Sequence, residues 1–232
     1  MRLPIHRQGW PIIASFLLAT AALWAIWPPL GGAGTVISVW CVWFFRDPDR
    51  VPPDAAAVIV APADGRVLPI AMTPPPEELG MGVAPRTRIS IFMNIFNVHV
   101  NRIPADGTVV NTFYRPGRFF NASFDKASAH NERLSIHMRL DTGEDLAVVQ
   151  IAGLIARRIR STIDAGQTVR RGERFGIIRF GSRVDVYLPD GYDACVSAGR
   201  IVTAGETVIA RREHANAPGD DASLPKDGDI AP

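Results

Sequence analysis

The sequence predicts a mainly β protein (α+β), a compact β-sandwich of the barrel-sandwich kind preceded by an N-terminal helical hairpin. Three observations carry that expectation. Short runs alternating between apolar and polar residues recur from Val51 onward, the clearest being Arg183 to Leu188. Turns of two repeated kinds separate the runs: P-A-D-G at Pro62 and again at Pro104, and V-x-x-G-E at Val169 and again at Val202. The stretch from Pro11 to Trp27, by contrast, is uncharged and apolar. The expected division is a membrane-anchoring hairpin over 1–46, a β domain over 47–212 and a disordered tail over 213–232.

The first apolar run is at the short limit for a membrane span, which needs about 20 apolar residues. Pro28-Pro29-Leu30-Gly31-Gly32 breaks it, and a second run, Thr35 to Phe45, is too short to cross alone. A hairpin suits this pattern. Arg2 and Arg7 flank one side, Arg46 and Arg50 the other, which puts both ends on the cytoplasmic face of the inner (plasma) membrane. Trp10, Trp24, Trp27, Trp40 and Trp43 all lie in this segment, several near ends where indoles favour the headgroup region. A signal peptide is the rival, but an apolar segment follows at once where a secreted domain would begin. The soluble part starts near Arg46 to Asp49.

Within the β domain, Val58-Ile59-Val60 is a strand stopped by the turn Pro62-Ala63-Asp64-Gly65, and Arg66 to Ile70 resumes it. Met72 to Arg86 is a loop without periodicity, and Arg88 to Ile95 a strand. In Phe96 to Arg102, Val98 and Val100 share one face while Asn97, His99 and Asn101 share the other. His99 therefore reads as looking across a polar surface, a better candidate for a site than a lone core histidine. Pro104 to Val109 nearly repeats Pro62 to Val67, and both read first as turns with Asp bonding the local backbone. The aromatic loop Phe119 to His130 precedes Asn131-Glu132-Arg133-Leu134, whose plain reading is an exposed charged strand edge; His137 reads as structural. Leu146 to Ala152 is a further strand and Ile155 to Ile159 a short basic element. Cys41 and Cys195 offer neither metal spacing nor a disulfide framework. The formal net charge of +2 comes with scattered basic residues, so nucleic acid is no natural partner.

Phe180 to Pro189 is the stretch around which the chain is organised. Ser182 shares the parity of Val184, Val186 and Leu188, so its hydroxyl points inward at the mouth of a half-buried strand. Gly181 frees the backbone just before it. F-G-S-R-V-D-V-Y-L-P resembles the self-cleavage site of the phosphatidylserine decarboxylase proenzymes, in their short, archaeal-type branch. A-P-A-D-G-R-V, F-N-V-H-V-N-R-x-P and N-E-R-L agree with it, and the resemblance spans roughly residues 55 to 210. The V-x-x-G-E pair is similar to lipoyl- and biotinyl-type sandwiches, without a lysine at the turn tip.

The resemblance implies a precursor cut between Gly181 and Ser182. The Ser182 hydroxyl attacks the Gly181 carbonyl, the amide becomes an ester, and β-elimination leaves a dehydroalanine that hydrolyses to a pyruvoyl group. That group, the only cofactor implied, would form a Schiff base with the substrate amine and accept the electrons of the departing carboxylate, which needs no PLP lysine or metal. The implied substrate is phosphatidylserine in the bilayer, the product phosphatidylethanolamine, and the cleaved large and small chains would persist as a heterodimer, with further oligomers open. Of the two P-A-D-G aspartates the resemblance singles out Asp64 as catalytic; His99 is the candidate base with Asp64 as its orienting carboxylate. Longer members of the family carry a second histidine where Arg102 stands here, so either His99 does both proton-transfer jobs or another group such as His130 assists. Two other readings remain: an uncleaved, membrane-tethered lipoyl-like adaptor, and a pyruvoyl decarboxylase of a soluble amino acid.

Overall fold

The computed structural model of the chain describes residues 4–117, 131–153, 159–178 and 182–212. Gly181, the whole aromatic loop Phe119 to His130, all of the basic element but Ile159, and the tail beyond Arg212 lie outside the described residues.

Two antiparallel helices of 17 residues each, α1 (Trp10–Ile26) and α2 (Pro28–Phe44), form the N-terminal hairpin. The break between them is shorter than the sequence suggests, because only Trp27 is extended, at φ −160° and ψ 117°. Pro28 and Pro29 occupy the first turn of α2, where an N–H would have no helical partner anyway. Of the two glycines expected to break the helix, Gly31 lies instead in its contact face, where a Cβ would collide with the Trp24 ring, while Gly32 faces open space. Beside it, Thr20 and Ser38 share a buried hydroxyl–hydroxyl hydrogen bond of 2.9 Å. Among the described residues, one helical stretch, Arg7–Ile26 (20 residues), is long and apolar enough to cross a membrane.

The β domain holds β1 (Val58–Val60), β2 (Gly65–Val67), β3 (Ala71–Thr73), β4 (Arg86–Met93), β5 (Val100–Arg102), β6 (Gly107–Arg115), β7 (Arg133–Leu140) and β8 (Asp145–Ile151). Then come β9 (Ile159–Ser161), β10 (Thr168–Val169), β11 (Arg174–Ile178), β12 (Ser182–Tyr187), β13 (Tyr192–Ala194), β14 (Ile201–Val202) and β15 (Val208–Arg212). The large antiparallel sheet runs β10-β6-β7-β8-β12-β4-β2-β14, with β3 also on β4, and two smaller sheets, β1-β15-β13 and β5-β11-β9, complete a sandwich. Ile89, Ile91, Met93, Ile136, Met138, Leu146, Val148, Val184 and Val186 line the core between them.

The two repeated turn motifs belong to one internal duplication. Gly65 pairs with Val202 and Gly107 with Val169, each joining a P-A-D-G glycine to the valine of a V-x-x-G-E turn. The Val60 N–H donates to the Pro104 carbonyl (2.9 Å), and the equivalent Arg102 N–H donates to the Pro62 carbonyl (2.8 Å). Gly205 bonds to Ala61 as Gly172 bonds to Ile103, both at 2.8 Å. Both P-A-D-G glycines are needed for close approach, since a Cβ would strike the Phe92 carbonyl from Gly65 and the Arg139 carbonyl from Gly107.

Two expectations change here. β12 is not half-buried: it lies centrally, between β4 and β8, and all six residues are buried. Its second face is roofed by Leu79 and Met81, which pack on Ala147, Val149, Ile151 and Tyr187. Arg183 and Asp185, which alternation alone would turn to solvent, are both 0% exposed and bonded to each other at 2.8 Å. The hairpin, in turn, is joined to the β domain through an apolar seam. Ile13, Cys41, Phe44 and Phe45 pack on Val98, Val100 and Ile177 in one buried cluster. Each large side chain buried there contributes about 1.5–3 kcal/mol.

Candidate active site

Ser182 opens β12 with its Cα opposite Met93, and its side chain is fully buried. Its Oγ lies 3.9 Å from Met93 Sδ, the sulfur that also receives Asn101 Nδ2 at 3.6 Å. Asn101 Oδ1 in turn accepts from Gln150 Nε2 at 2.7 Å, while Gln150 Oε1 is buried with no partner among the described residues. Asn101 and Gln150 are both 0% exposed. Sequence reasoning missed Gln150 and Met93. The signal for Gln150 was a lone amide inside the apolar run of β8, at the parity of Val148 and Leu146, where an unpaired polar group is costly.

His99 is also 0% exposed, and this corrects the expectation of a polar surface. Its ring lies against Phe44, with centroids 4.3 Å apart and planes 35° apart. Phe96 to His99 is turn and irregular backbone and only Val100–Arg102 is strand, so the expected alternation does not hold: Val98, Val100 and the His99 ring all meet the seam around Phe44, and the hairpin supplies the cover. Nδ1 lies 3.0 Å from the Asn97 carbonyl oxygen, which can only accept, so Nδ1 carries the proton of the neutral ring. Nε2 is thereby left as a lone-pair acceptor, buried and without a partner among the described residues. Burial pushes the pKa of His99 down to about 4, the Asn97 hydrogen bond opposes this, and the nearby Arg46 cation adds a smaller downward push. The imidazole is therefore neutral near pH 7. The His99 carbonyl accepts from the Ile178 N–H at 3.3 Å, which places His99 beside the strand that leads into residues 179–181.

Asp64 stands elsewhere than expected. Its Oδ1 accepts from the Ala204 N–H at 2.8 Å and its Oδ2 from Arg50 Nη2 at 3.0 Å, so neither oxygen is on the His99 ring. The Asn97 carbonyl does the orienting instead. Burial raises the Asp64 pKa above the usual carboxylate value, against the downward pull of Ala204, Arg50, Arg46 and Arg102. Arg102, at the second-histidine position, is a strut. It donates to the carbonyls of Gly172 (2.8 Å) and Pro48 (2.7 Å) and pairs with Asp47 at 3.4 Å. Asp47 also holds Arg174 Nε at 2.8 Å, so these arginines fasten the entry of the β domain to its turns. Asn131 and Glu132 are buried, not an exposed edge: Asn131 donates to the Ala152 carbonyl (2.7 Å), and Glu132 accepts from Tyr114 (3.0 Å) and from the Ile159 N–H (3.1 Å). His137 lies on the roofed face with Nε2 2.9 Å from Asp145, as a structural residue would.

A pyruvoyl group has the carbon skeleton of the serine it replaces, so it needs no added volume at the mouth of β12. Gln150 Oε1, without a partner among the described residues, supplies an acceptor suited to an amine in that buried polar cluster. The residues present fit the group.

Comparison with known proteins agrees with this architecture. Residues 37–210 match the family model described as phosphatidylserine decarboxylase. The chain is 57% identical to the phosphatidylserine decarboxylase proenzyme of Paramagnetospirillum magneticum over 207 residues, 89% of this chain and 86% of that one. It is 54% identical to the proenzyme of Cereibacter sphaeroides, covering 89% of both chains, and 53% identical to that of Nitrobacter winogradskyi, covering 89% of this chain and 84% of the other. With a buried serine at the head of a central strand and a neutral histidine on the neighbouring segment, the chain belongs to the phosphatidylserine decarboxylase family.

Proposed function

We propose that this chain is a precursor that cuts itself before Ser182 and then decarboxylates phosphatidylserine to phosphatidylethanolamine at a bilayer surface. What supports this reading is a buried Ser182 at the head of a central strand together with a buried, Nδ1-protonated His99, bonded through its carbonyl to Ile178 four residues before Ser182, whose Nε2 has no partner among the described residues. In the cleavage, Ser182 Oγ bonds to the Gly181 carbonyl carbon and gives its proton to the base, for which His99 Nε2 is the candidate. The Gly181–Ser182 C–N bond breaks and the nitrogen takes up a proton. Loss of the Ser182 α-proton then expels the Gly181 carboxylate, and water converts the remaining dehydroalanine to the keto acid with release of ammonia.

A pyruvoyl group at residue 182 supplies an electron sink for the departing carboxylate. The chain's own residues do the rest. Gln150 Oε1 accepts from the substrate amine, and Asn101 fixes the Gln150 amide. With a pKa of about 4, His99 returns to the substrate carbon only a proton it has itself picked up during the turnover. Asp64 acts through the charge and rigidity of the turn it shares with Ala204 and Arg50, not by holding His99. After cleavage the short chain stays in place because β12 remains paired with β4 and β8, so the two pieces form a heterodimer.

The first helical stretch, Arg7–Ile26, is long enough to cross, but α2 turns back after Trp27 and its 17 residues rise only about 25 Å, short of the roughly 30 Å hydrocarbon core, so the hairpin enters and leaves the membrane on the side that carries Arg7, Arg46 and Arg50, the cytoplasmic side. Intact-mass measurement of purified protein, combined with decarboxylation of phosphatidylserine in vesicles, tests the proposal. Two pieces meeting at Gly181/Ser182 and a phosphatidylethanolamine product are expected; a single uncut chain with full activity would overturn it.

A further inference from the structure

We propose that Phe44, the last residue of the hairpin's second helix, is a positioning residue for His99, so that the anchor forms one wall of the catalytic site. This rests on the reading of His99 as the base. The His99 ring is held on two sides. In its plane, Nδ1 bonds the Asn97 carbonyl; on its face lies the Phe44 ring at 4.3 Å. The first contact sets the tautomer. The second limits rotation and excludes water, leaving Nε2 one direction in which to point. Phe44 is itself fixed by a T-shaped contact with Phe45 (5.0 Å, 81°) and a tilted one with Trp40 (5.6 Å, 44°). Both partners belong to the anchor.

Among the described residues, no carboxylate on the elements around His99 is left to stabilise an imidazolium. The charged groups there are Arg46 just past α2, Arg102 on β5 and Arg174 on β11; Asp47 is shared by Arg102 and Arg174, and Arg174 also holds Asp49. Arg46 donates to the Trp43 and Phe96 carbonyls and lies over the Trp43 ring. The remaining titratable neighbour in the seam is the buried Cys41 thiol. Neutrality of His99 therefore depends on apolar cover, and Phe44 provides the part that touches the ring. A phenylalanine that only filled the seam would affect stability and leave the imidazole's protonation alone.

The test uses full-length protein in nanodiscs. His99 is followed by NMR of labelled histidine in a Ser182→Ala background, and self-cleavage against pH is followed with Ser182 intact. Phe44→Leu and Phe44→Met, which keep apolar bulk and lose the ring, should raise the His99 midpoint from about 4 by roughly one unit or more toward 6.5, carrying the acid limit of cleavage with it. Phe44→Tyr should restore the wild-type profile. Ile13→Ala, in the same cluster but not on His99, should lower the melting temperature and shift neither readout. If the Phe44 variants lose stability while titration and acid limit stay put, or if Ile13→Ala moves both as far, the proposal fails. A His99 midpoint that moves while the acid limit of cleavage does not would uphold the positioning contact and sink the base assignment instead.

Discussion

Asp64 and Asp106 occupy equivalent places in the internal duplication: each accepts a 2.8 Å hydrogen bond from the backbone N–H just before the glycine of a V-x-x-G-E turn, Ala204 for one and Arg171 for the other. Their surroundings then diverge. Asp106 is exposed, whereas Asp64 is largely buried and paired with Arg50 at 3.0 Å. One copy of the motif thus carries a charge into the interior near Arg46 and Arg102, and the other caps a surface turn.

That divergence gives the first prediction. Asp64→Asn keeps an acceptor for Ala204 and loses the charge facing Arg50, so processing or turnover should fall at least roughly tenfold, about 1.4 kcal/mol in the barrier. Asp106→Asn keeps its acceptor for Arg171 at an exposed turn and should change rates by less than about twofold. Equal effects on cleavage rate from the two variants would remove the distinction.

Ser182→Ala should leave one full-length chain, inactive and normally folded, because alanine fits the fully buried site beside Met93. Ser182→Cys keeps a nucleophile and should cleave slowly. Gel analysis over hours, with Edman degradation blocked at the wild-type short chain, reads all three proteins. Cleavage of the alanine variant at the same bond would count against serine attack.

The hairpin should show two functionally different ends. Leu18, Ile26 and Val36 are 70% exposed or more, away from the seam. Changing them to Ser removes up to about 1.5–3 kcal/mol of apolar burial each, so vesicle binding should weaken while self-cleavage in detergent continues. Deleting residues 1–45 removes Phe44 and uncovers Val98, Val100 and Ile177, so this variant should lose processing as well as membrane binding. Normal self-cleavage by the deletion variant would show that the seam is dispensable.

His99 sets a pH window for stability. Its folded pKa, about 4, is below the ordinary histidine value of 6.5, so between those values the unfolded state binds more protons. The contribution is fully present above about pH 6.5 and is lost as the pH falls toward 4, to a ceiling of about 3 kcal/mol. Denaturant unfolding of the uncut Ser182→Ala chain should therefore weaken from pH 6.5 to pH 4, and adding His99→Gln should flatten that slope. An unchanged slope in the double variant would assign the acid sensitivity to other groups.

Much of this molecule is local and was readable as such. The turn residues, the alternation in β12 and the apolar N-terminal runs depend on neighbours a few positions apart, so Ser182 was placed inward and the hairpin foreseen from the chain alone. The duplication was visible only as two pairs of similar words. Their joining into reciprocal turns, Val60 to Pro104 and Arg102 to Pro62, is a long-range pairing that no local pattern specifies. Burial went astray where a distant segment supplies the cover. Arg183 and Asp185 read as solvent-facing until Leu79 and Met81 roof the sheet, and His99 read as polar-faced until Phe44 closes over it. Which carboxylate reaches which partner is likewise tertiary: Asp64 turns to Arg50 and Ala204, and a backbone carbonyl holds His99. Periodicity tells which residues share a face; only the packing of remote elements decides whether that face meets water, and with it the protonation of His99 under Phe44.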